Sequence, residues 1–529
     1  MKYLISFCLL MFASWMPVHA ATTEVLLEQL TTTKLSKLPD MVEQLEAQGD
    51  ESLLPVFRAW LAGDLHFVKD SKTIVVETDV QGKEVYIDPF SQEQLLGLSS
   101  KDVKKIKVNN KLRGLLRGVI ARIQLTSNNA DVREGAVREL LSDIDEDTFA
   151  TLETLFPKES NSDVKQMMQT ALSIYTATDK SNSQITRVTA IEFLGGSLEN
   201  DVRNVLLKLS RDSNEVVAAA ADKALVNINR QVERYALVDQ LFFGLSLGSV
   251  LLLASIGLAI TFGVMGVINM AHGEMIMLGA YTTYVVQLIM PNYIDYSIWV
   301  AIPAAFLVSG LMGVLIERLV ICRLHGRPLE TLLATFGISL ILQQLVRTIF
   351  SPLNRQVSTP SWMSGSWEIN PVLSLTLNRL YILAFALLVF LALVFILKKS
   401  SLGLNVRAVS QNRSMAKAMG VKTEWVDAMT FGLGSGIAGI AGVALSQLTN
   451  VGPNLGQAYI IDSFMVVVFG GVGNLLGTLV AAFTLGIANK FLEPTTGAVL
   501  AAILVLVFII LFIQKRPKGL FPQKGRAAE

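Results

Sequence analysis

TFGVMGVINMAHGEMIMLGAY, residues Thr261 to Tyr281, is embedded in sequence apolar enough to be membrane, yet it holds Asn269, His272 and Glu274 within six positions. Hydrocarbon offers such groups no partner, so they must face protein, a water-filled path or the membrane surface. Gly263, Gly266 and Gly273 thin the same segment, which lets backbones approach closely or a helix break. A polar, glycine-rich break between apolar runs suits a transport path, and it equally suits a tight loop at the membrane face.

Apolar runs continue on both sides. Helices that cross a bilayer are expected near 241–263, 268–290, 298–319, 330–350, 378–397, 425–448, 457–472, 473–492 and 497–513, about nine spans. The 457–492 pair is short enough for half-helices or a re-entrant element. Glycines at Gly432, Gly436 and Gly439, and at Gly473 and Gly477, permit close helix crossing, as a sliding seam or as ordinary tight packing. Basic residues fix an orientation. Arg318, Arg323 and Arg327, then Lys398 to Lys422, then Lys515 to Arg526 fall on one side, roughly fourteen against about four opposite. That side is expected to be cytoplasmic. Gly266 to Gly273 then falls near the cytoplasmic end of the first two spans, as a hinge or inner gate.

Upstream the chain changes character. From Ala21 to Asp239 it carries about 26 Lys/Arg against about 34 Asp/Glu; from Gln240 onward the balance is about 18 against about 10. An acidic, water-soluble half is joined to a basic, membrane half. The soluble half has no basic patch with interleaved aromatics, so nucleic acid is not an expected partner. Residues 1–20 read as a secretory signal, Lys2 followed by an apolar core and Val18-His19-Ala20, with cleavage expected after Ala20. Cys8 would leave with it, and Cys322 would remain alone.

Within 21–239 the apolar spacing is helical to about Ala62. A hairpin is expected from Thr73 to Asp88 with Gln81-Gly82 as its turn, and a helix from Val108 to about Leu125. Asp131, Asp163 and Asp201 each open an amphipathic helix, where a carboxylate accepts orphan backbone N–H groups and suits the dipole. Helices recurring every 30–40 residues or so suggest a stacked solenoid resembling HEAT repeats, or an irregular bundle. His66 reads as structural or as a surface residue. The fold class is all-α: a polytopic membrane bundle preceded by a mainly helical soluble domain. The expected division is 1–20 signal, 21–239 exported domain, 240–522 membrane domain and 523–529 tail.

Between the fifth and sixth expected spans lies Ser401 to Val421. Val409, Met415, Ala416, Met419 and the closing Gly420 outline a short amphipathic helix, with Arg413 and Lys417 on another face. It suits docking into a partner's groove, or lying in the headgroup layer. Asn269-Met-Ala-His-Gly-Glu-Met, Arg407-Ala408-Val with Ala416 to Gly420, and Gly470-Gly-Val-Gly-Asn-Leu-Leu-Gly, in that order and spacing, resemble the permease subunits of ABC importers in the branched-chain amino acid and amide class. The signal, the exported helical domain with Val108-Asn-Asn-Lys-Leu-Arg, and the permease together resemble the urea-importing members.

That resemblance implies a coupling loop at 401–421 (Arg407, Ala408, Arg413, Ala416, Met419, Gly420), two separate ATPase subunits, a second related permease and a periplasmic binding protein. It implies urea or a short amide as cargo, with branched-chain amino acids as the alternative. No G-x-x-x-x-G-K-[ST] occurs, so ATP would be used by partner subunits and no cofactor by this chain. A neutral amide needs matched donors and acceptors, which makes Asn269, Thr335 and Asn474 candidate path residues; His272, Glu274 and Asp462 are candidates for gating or a proton site. A proton-coupled carrier would lean on Glu274 or Asp462. No His/Asp/Glu cluster has catalytic or metal-ligand spacing. Trp362 and Trp367, in the polar stretch 351–378, either cap the path or anchor at the interface.

Overall fold

The computed structural model describes residues 23–47, 51–80, 83–95, 98–324 and 326–522. The expected signal segment, the Gln81-Gly82 turn and the tail 523–529 lie outside them. The chain separates into two units, 1–231 and 232–529.

The first unit opens with α1 (Thr23–Thr32), α2 (Leu38–Glu46) and α3 (Leu54–Ala62). Pro39 and Pro55 sit in the first turns of α2 and α3, where a missing N–H costs nothing. Gly63, at φ 91°, ends α3 in the left-handed conformation and turns the chain into a sheet. Strands β1 (Leu65–Val68), β2 (Ile74–Val80), β3 (Lys83–Ile87) and β4 (Val103–Lys105) pair antiparallel in the order β3-β2-β1-β4. The expected hairpin is β2–β3; β1 and β4 are additions to it. Alternation sorts the two faces. Leu65, Phe67 and Ile74 join Phe57, Trp60, Leu112 and Leu116 in one core, while Val75, Tyr86 and Val103 form another. His66, on β1, is buried between the Asp64 carbonyl (3.1 Å) and the Glu77 carboxylate (3.2 Å), a structural position.

Helices α4 (Asn110–Gln124), α5 (Ala130–Leu140), α6 (Glu146–Leu155), α7 (Ser162–Thr178), α8 (Gln184–Leu194) and α9 (Asn200–Leu209) follow. The caps differ from the sequence expectation. Asn129 and Asn161, not Asp131 and Asp163, accept the first N–H groups, because each stands one residue before its helix with extended backbone. The aspartates occupy the first turn, where only the dipole favours them. Asp201 likewise lies inside α9, which has no side-chain cap bond. Ion pairs tie non-adjacent segments: Arg122–Glu46, Arg133–Glu159, Arg138–Glu199 and Arg187–Asp212, at 2.5–3.2 Å.

Helix α10 (Glu215–Met265) crosses the boundary between the units. After it come α11 (His272–Ile289), α12 (Ile294–Leu319), α13 (Pro328–Phe350), strands β5 (Ser366–Asn370) and β6 (Leu373–Thr376), α14 (Leu377–Lys399), α15 (Ser401–Gln411), α16 (Arg413–Ala418), α17 (Thr423–Ser446), α18 (Leu455–Gly470), α19 (Leu475–Thr496) and α20 (Ala498–Lys515). Each expected span coincides with a helix. Among the described residues seven are long and apolar enough to cross a membrane. Two fall short for different reasons. The 18 residues of α11 are diluted by His272, Glu274 and other polar groups, and α18 has only 16 residues. Of the 457–492 pair only α18 is short, since α19 runs for 22 residues.

Helix α17, like the apolar part of α10, lies in the interior of this bundle, whereas α20 is largely exposed. Glycine puts it there. A Cβ on Gly439 would stand 2.5 Å from the Ala305 carbonyl and 2.6 Å from Ser309 Oγ, and Gly279 meets Gly439 backbone to backbone. Gly432 and Gly436 pack on α12 through Val314 and Phe306, while Gly473 lies against Gly263 and Gly477 against Gly470. At the N-terminal end of α12, Ser361 N and Trp362 Nε1 donate to Asp295 (2.7 and 2.9 Å), and elsewhere Arg355 pairs with Val451. The stretch around Trp362 is thus fixed in place, whereas Trp367 is exposed.

Candidate transport site

After Met265 the helix stops. Gly266 takes φ 67°, a conformation that L side chains rarely adopt, and residues 267–271 run non-helically to α11. The direction of that run decides the depth of the site. His272 Nε2 lies 2.8 Å from the carbonyl oxygen of Ala254. Ala254 precedes Met265 by eleven residues, roughly 16 Å of helix rise. The chain therefore turns back into the bundle. Position 272 is not at the Met265 end of α10 as the sequence suggested, but far up its length.

Helix α13 gives the same depth independently. Met270 N donates to Thr335 Oγ1 (3.2 Å), and Glu274 Oε1 accepts from Ser339 Oγ (2.9 Å) and Gln343 Nε2 (2.8 Å). Ser339 is midway along α13. The polar cluster is thus two-faced, with Glu274 bonded to α13 and His272, two residues along the helix, bonded to α10; Asn269, His272, Glu274 and Thr335 are each at most 1% exposed. Ser339 and Gln343 complete it and were not anticipated. Their signal was available: Thr331, Thr335, Ser339, Gln343 and Arg347 recur every four residues on an apolar span, one polar stripe along a helix.

Part of this cluster is left without protein partners. Asn269 Nδ2, His272 Nδ1 and Glu274 Oε2 are buried and bonded to nothing in the described structure, and so is the Tyr281 hydroxyl two turns on. Each such group costs about 1–3 kcal/mol. A run of them inside a bundle marks a place built for something other than packing. Gly273 approaches Gly456, its added Cβ 2.5 Å from that carbonyl, so the first turns of α11 and α18 meet inside the bundle. Both helices are discontinuous or short, and both aim their positive ends here.

The other candidates lie elsewhere. Asp462 is half-buried on α18 beyond the cluster. Asn474 caps α19, accepting from Gly477 N (3.2 Å) and donating to the Phe521 carbonyl (3.2 Å). It borders a separate cleft of about 880 Å³. Met275 and Met277 are fully buried packing residues. No group of three or more metal-ligating side chains occurs among the described residues.

The 401–421 connection is two helices rather than one. Ser400 caps α15 through Gly403 N (3.1 Å), Asn412 caps α16 through Met415 N (2.9 Å), and Gly420, at φ 88°, ends the element. Ala416 is buried, Ala408 half-buried, and Met415 and Met419 are 60% and 79% exposed. Two of the loop's cations bond within the chain, Arg413 to a buried carboxylate and Arg407 from an exposed position. Arg413 forks onto the buried Asp427 of α17, Nη1 to Oδ1 at 3.2 Å with a closer second contact, and Arg407 donates to the Leu397 carbonyl.

A broken helix re-entering a glycine-packed bundle, with a capped two-helix connection beside it, is the arrangement to compare with known proteins. The branched-chain amino acid transport system permease component family matches residues 240–514, rather more than half of the chain. The chain belongs to this family. The high-affinity branched-chain amino acid transport system permease protein LivH of Salmonella typhimurium is 30% identical over 294 residues, covering 54% of this chain and 94% of LivH. BraD of Pseudomonas aeruginosa, a permease protein of the same description, is 28% identical over 298 residues, covering 54% and 96%. The ribose import permease protein RbsC of Escherichia coli is 25% identical over 266 residues, covering 48% and 78%. No solved structure matches. The permease is accordingly a multi-pass transport component, and its relatives are transport subunits rather than enzymes.

Proposed function

We propose that this permease carries a small neutral amide, urea above all, from periplasm to cytoplasm as part of an ATP-driven importer. The observation that carries the reading is the buried cluster on α11 and α13. Its unpartnered groups are an amide N–H, an imidazole nitrogen and a carboxyl oxygen, and the Gln343 amide is bonded to the other Glu274 oxygen. Urea presents one carbonyl and four N–H donors, which such a set can match without a counter-charge. The reading is also supported by the resemblance of the sequence, with its helical half ahead of the permease, to urea-importing members of the class.

In this reading residues 1–20 direct export, 21–239 lie in the periplasm, and 401–421 faces the cytoplasm. Two ATPase subunits dock on Met415 and Met419, a second permease completes the channel, and a binding protein delivers cargo. ATP acts on the partners, and this chain binds no cofactor. Movement of α16 is passed to α17 through Arg413–Asp427, and α17 is packed directly against α11. A tilt of α17 thereby opens the cluster alternately to either side.

A second reading is a branched-chain amino acid cargo, favoured by the printed names of LivH and BraD. Glu274 would then meet the ammonium group. Uptake of labelled urea and labelled leucine, in a strain lacking the gene and complemented with it, separates the two. Urea uptake restored with no leucine uptake is expected; the reverse result would reject the amide reading. Replacing Ala416 and Gly420 by bulky charged residues is expected to stop ATP-driven uptake, and unchanged uptake would remove the coupling role.

A further inference from the structure

The cleft of about 880 Å³ lies apart from the transport cluster, between the ends of α10, α14 and α15 and the start of α19. Its lining is mostly apolar, with Phe390 buried and Leu391 and Leu476 exposed along it, and Ser410, Gln411 and Asn474 are its uncharged polar residues. Its charged lining residues are both basic: Lys398 and Arg407, with no Asp or Glu beside them. Lys398 is in the last turn of α14, and Phe390 lies two turns earlier, roughly 12 Å deeper. Two cations thus stand at one end of a groove whose lining is otherwise mostly apolar. Lys398 has no carboxylate partner among the described residues, and Arg407 spends one nitrogen on the Leu397 carbonyl.

We propose that this cleft binds one anionic phospholipid, its phosphate between Lys398 and Arg407 and an acyl chain along Phe390, Leu391 and Leu476. The occupant must be apolar at one end and anionic at the other. An extended peptide fails the first condition, since along Phe390, Leu391 and Val394 its backbone groups would find no partners. A helix of a second permease could fill the groove, but it would bring no anion to the two cations unless an acidic side chain stood there. A lipid headgroup meets both conditions, and basic pockets between spans on the cytoplasmic side are where such headgroups settle. The inference is independent of the cargo.

The test is to purify the full-length permease in its transporter from vesicles of phosphatidylethanolamine and phosphatidylglycerol, and to count retained lipid by native mass spectrometry. One phosphatidylglycerol per chain is expected, retained in preference to phosphatidylethanolamine. Lys398→Gln is expected to lower retention about fivefold, and Lys398→Arg to keep it. Leu476→Trp, which crowds the exposed apolar wall without touching a charge, is expected to lower it too. Equal retention in wild type and all three variants would overturn the proposal. So would displacement of the lipid by inorganic phosphate alone, or a cysteine at position 476 that cross-links to the second permease while no lipid is retained.

Discussion

Two glutamates in this chain have opposite surroundings. Glu159, in the first unit, accepts both forks of Arg133 (2.8 and 2.9 Å) and the N–H groups of Ser160 and Asn161. The Arg133 guanidinium beside it holds its carboxyl at about 2, against the burial that would raise it. Glu274, in the second unit, takes two neutral donors on one oxygen and nothing on the other. The difference separates structure from function. A carboxylate that only supports a fold is given every partner it can use, and one that handles a passing molecule has to keep capacity free.

The largest effect is expected where packing holds the free capacity in place. Gly439 sets the distance between α17 and the Ala305 carbonyl, and Gly439→Val drives atoms into backbone that has no room to move. A loss of about 3 kcal/mol or more is expected, read as a fall in the thermal midpoint of the purified permease together with loss of uptake. If the variant is as stable as wild type, the seam is loose and the cluster's empty valences have a trivial cause. Next comes Glu274→Leu. It removes the unpaired oxygen but also the acceptor of the buried Ser339 and Gln343 donors, so stability is expected to fall by about 1–3 kcal/mol while uptake by the folded protein falls about fiftyfold. A variant that loses stability as Glu159 variants do, yet transports normally when folded, would make Glu274 a second Glu159.

The spans were legible because hydrocarbon demands long apolar runs, and nothing else in a chain of this size produces them. Asn269, His272 and Glu274 stood out by the same rule, as groups that lipid cannot satisfy. Ser339 and Gln343 could have been found from the four-residue stripe on α13, which shows only when polar positions inside a span are placed on one helix face. The depth of the cluster had no local signature. It depends on Gly266 turning the chain back toward Ala254, a contact that topology alone cannot specify. Strands β1 and β4 were invisible for a related reason, being short segments that become strands only by pairing with each other and with β2.

Arg413–Asp427 lies between the two glutamates in character, a satisfied pair at the edge of moving machinery. Arg413→Gln leaves Asp427 buried without its cation. The guanidinium is 34% exposed, so the cost is expected to be about 1–2 kcal/mol, below that of a fully buried pair. Arg413→Gln with Asp427→Asn is expected to recover the thermal midpoint while uptake stays low, if the pair passes motion from α16 to α17. Recovery of both would make it a purely structural tie, like Arg133–Glu159.

The smallest effect tests that tie itself. Because the Glu159 carboxyl is held at about 2 in the folded protein against an ordinary 4.5, its contribution is fully present above pH 4.5 and is lost as pH falls toward 2. Glu159→Gln is expected to cost about 1 kcal/mol at pH 7 and to flatten the acid-side loss in that window. Hydrogen exchange of the α7 amides in the full-length chain is the readout, since Glu159 also holds the turn that leads into Asn161, the cap of α7. Exchange in α7 that stays equally pH-dependent in the variant would mean that the acid sensitivity belongs to another carboxylate, such as Asp212, which is also held low by the Asn214 N–H and by Arg187. The contrast with Glu274 would then rest on bond counts alone, without the linkage that gives a satisfied carboxylate its structural weight.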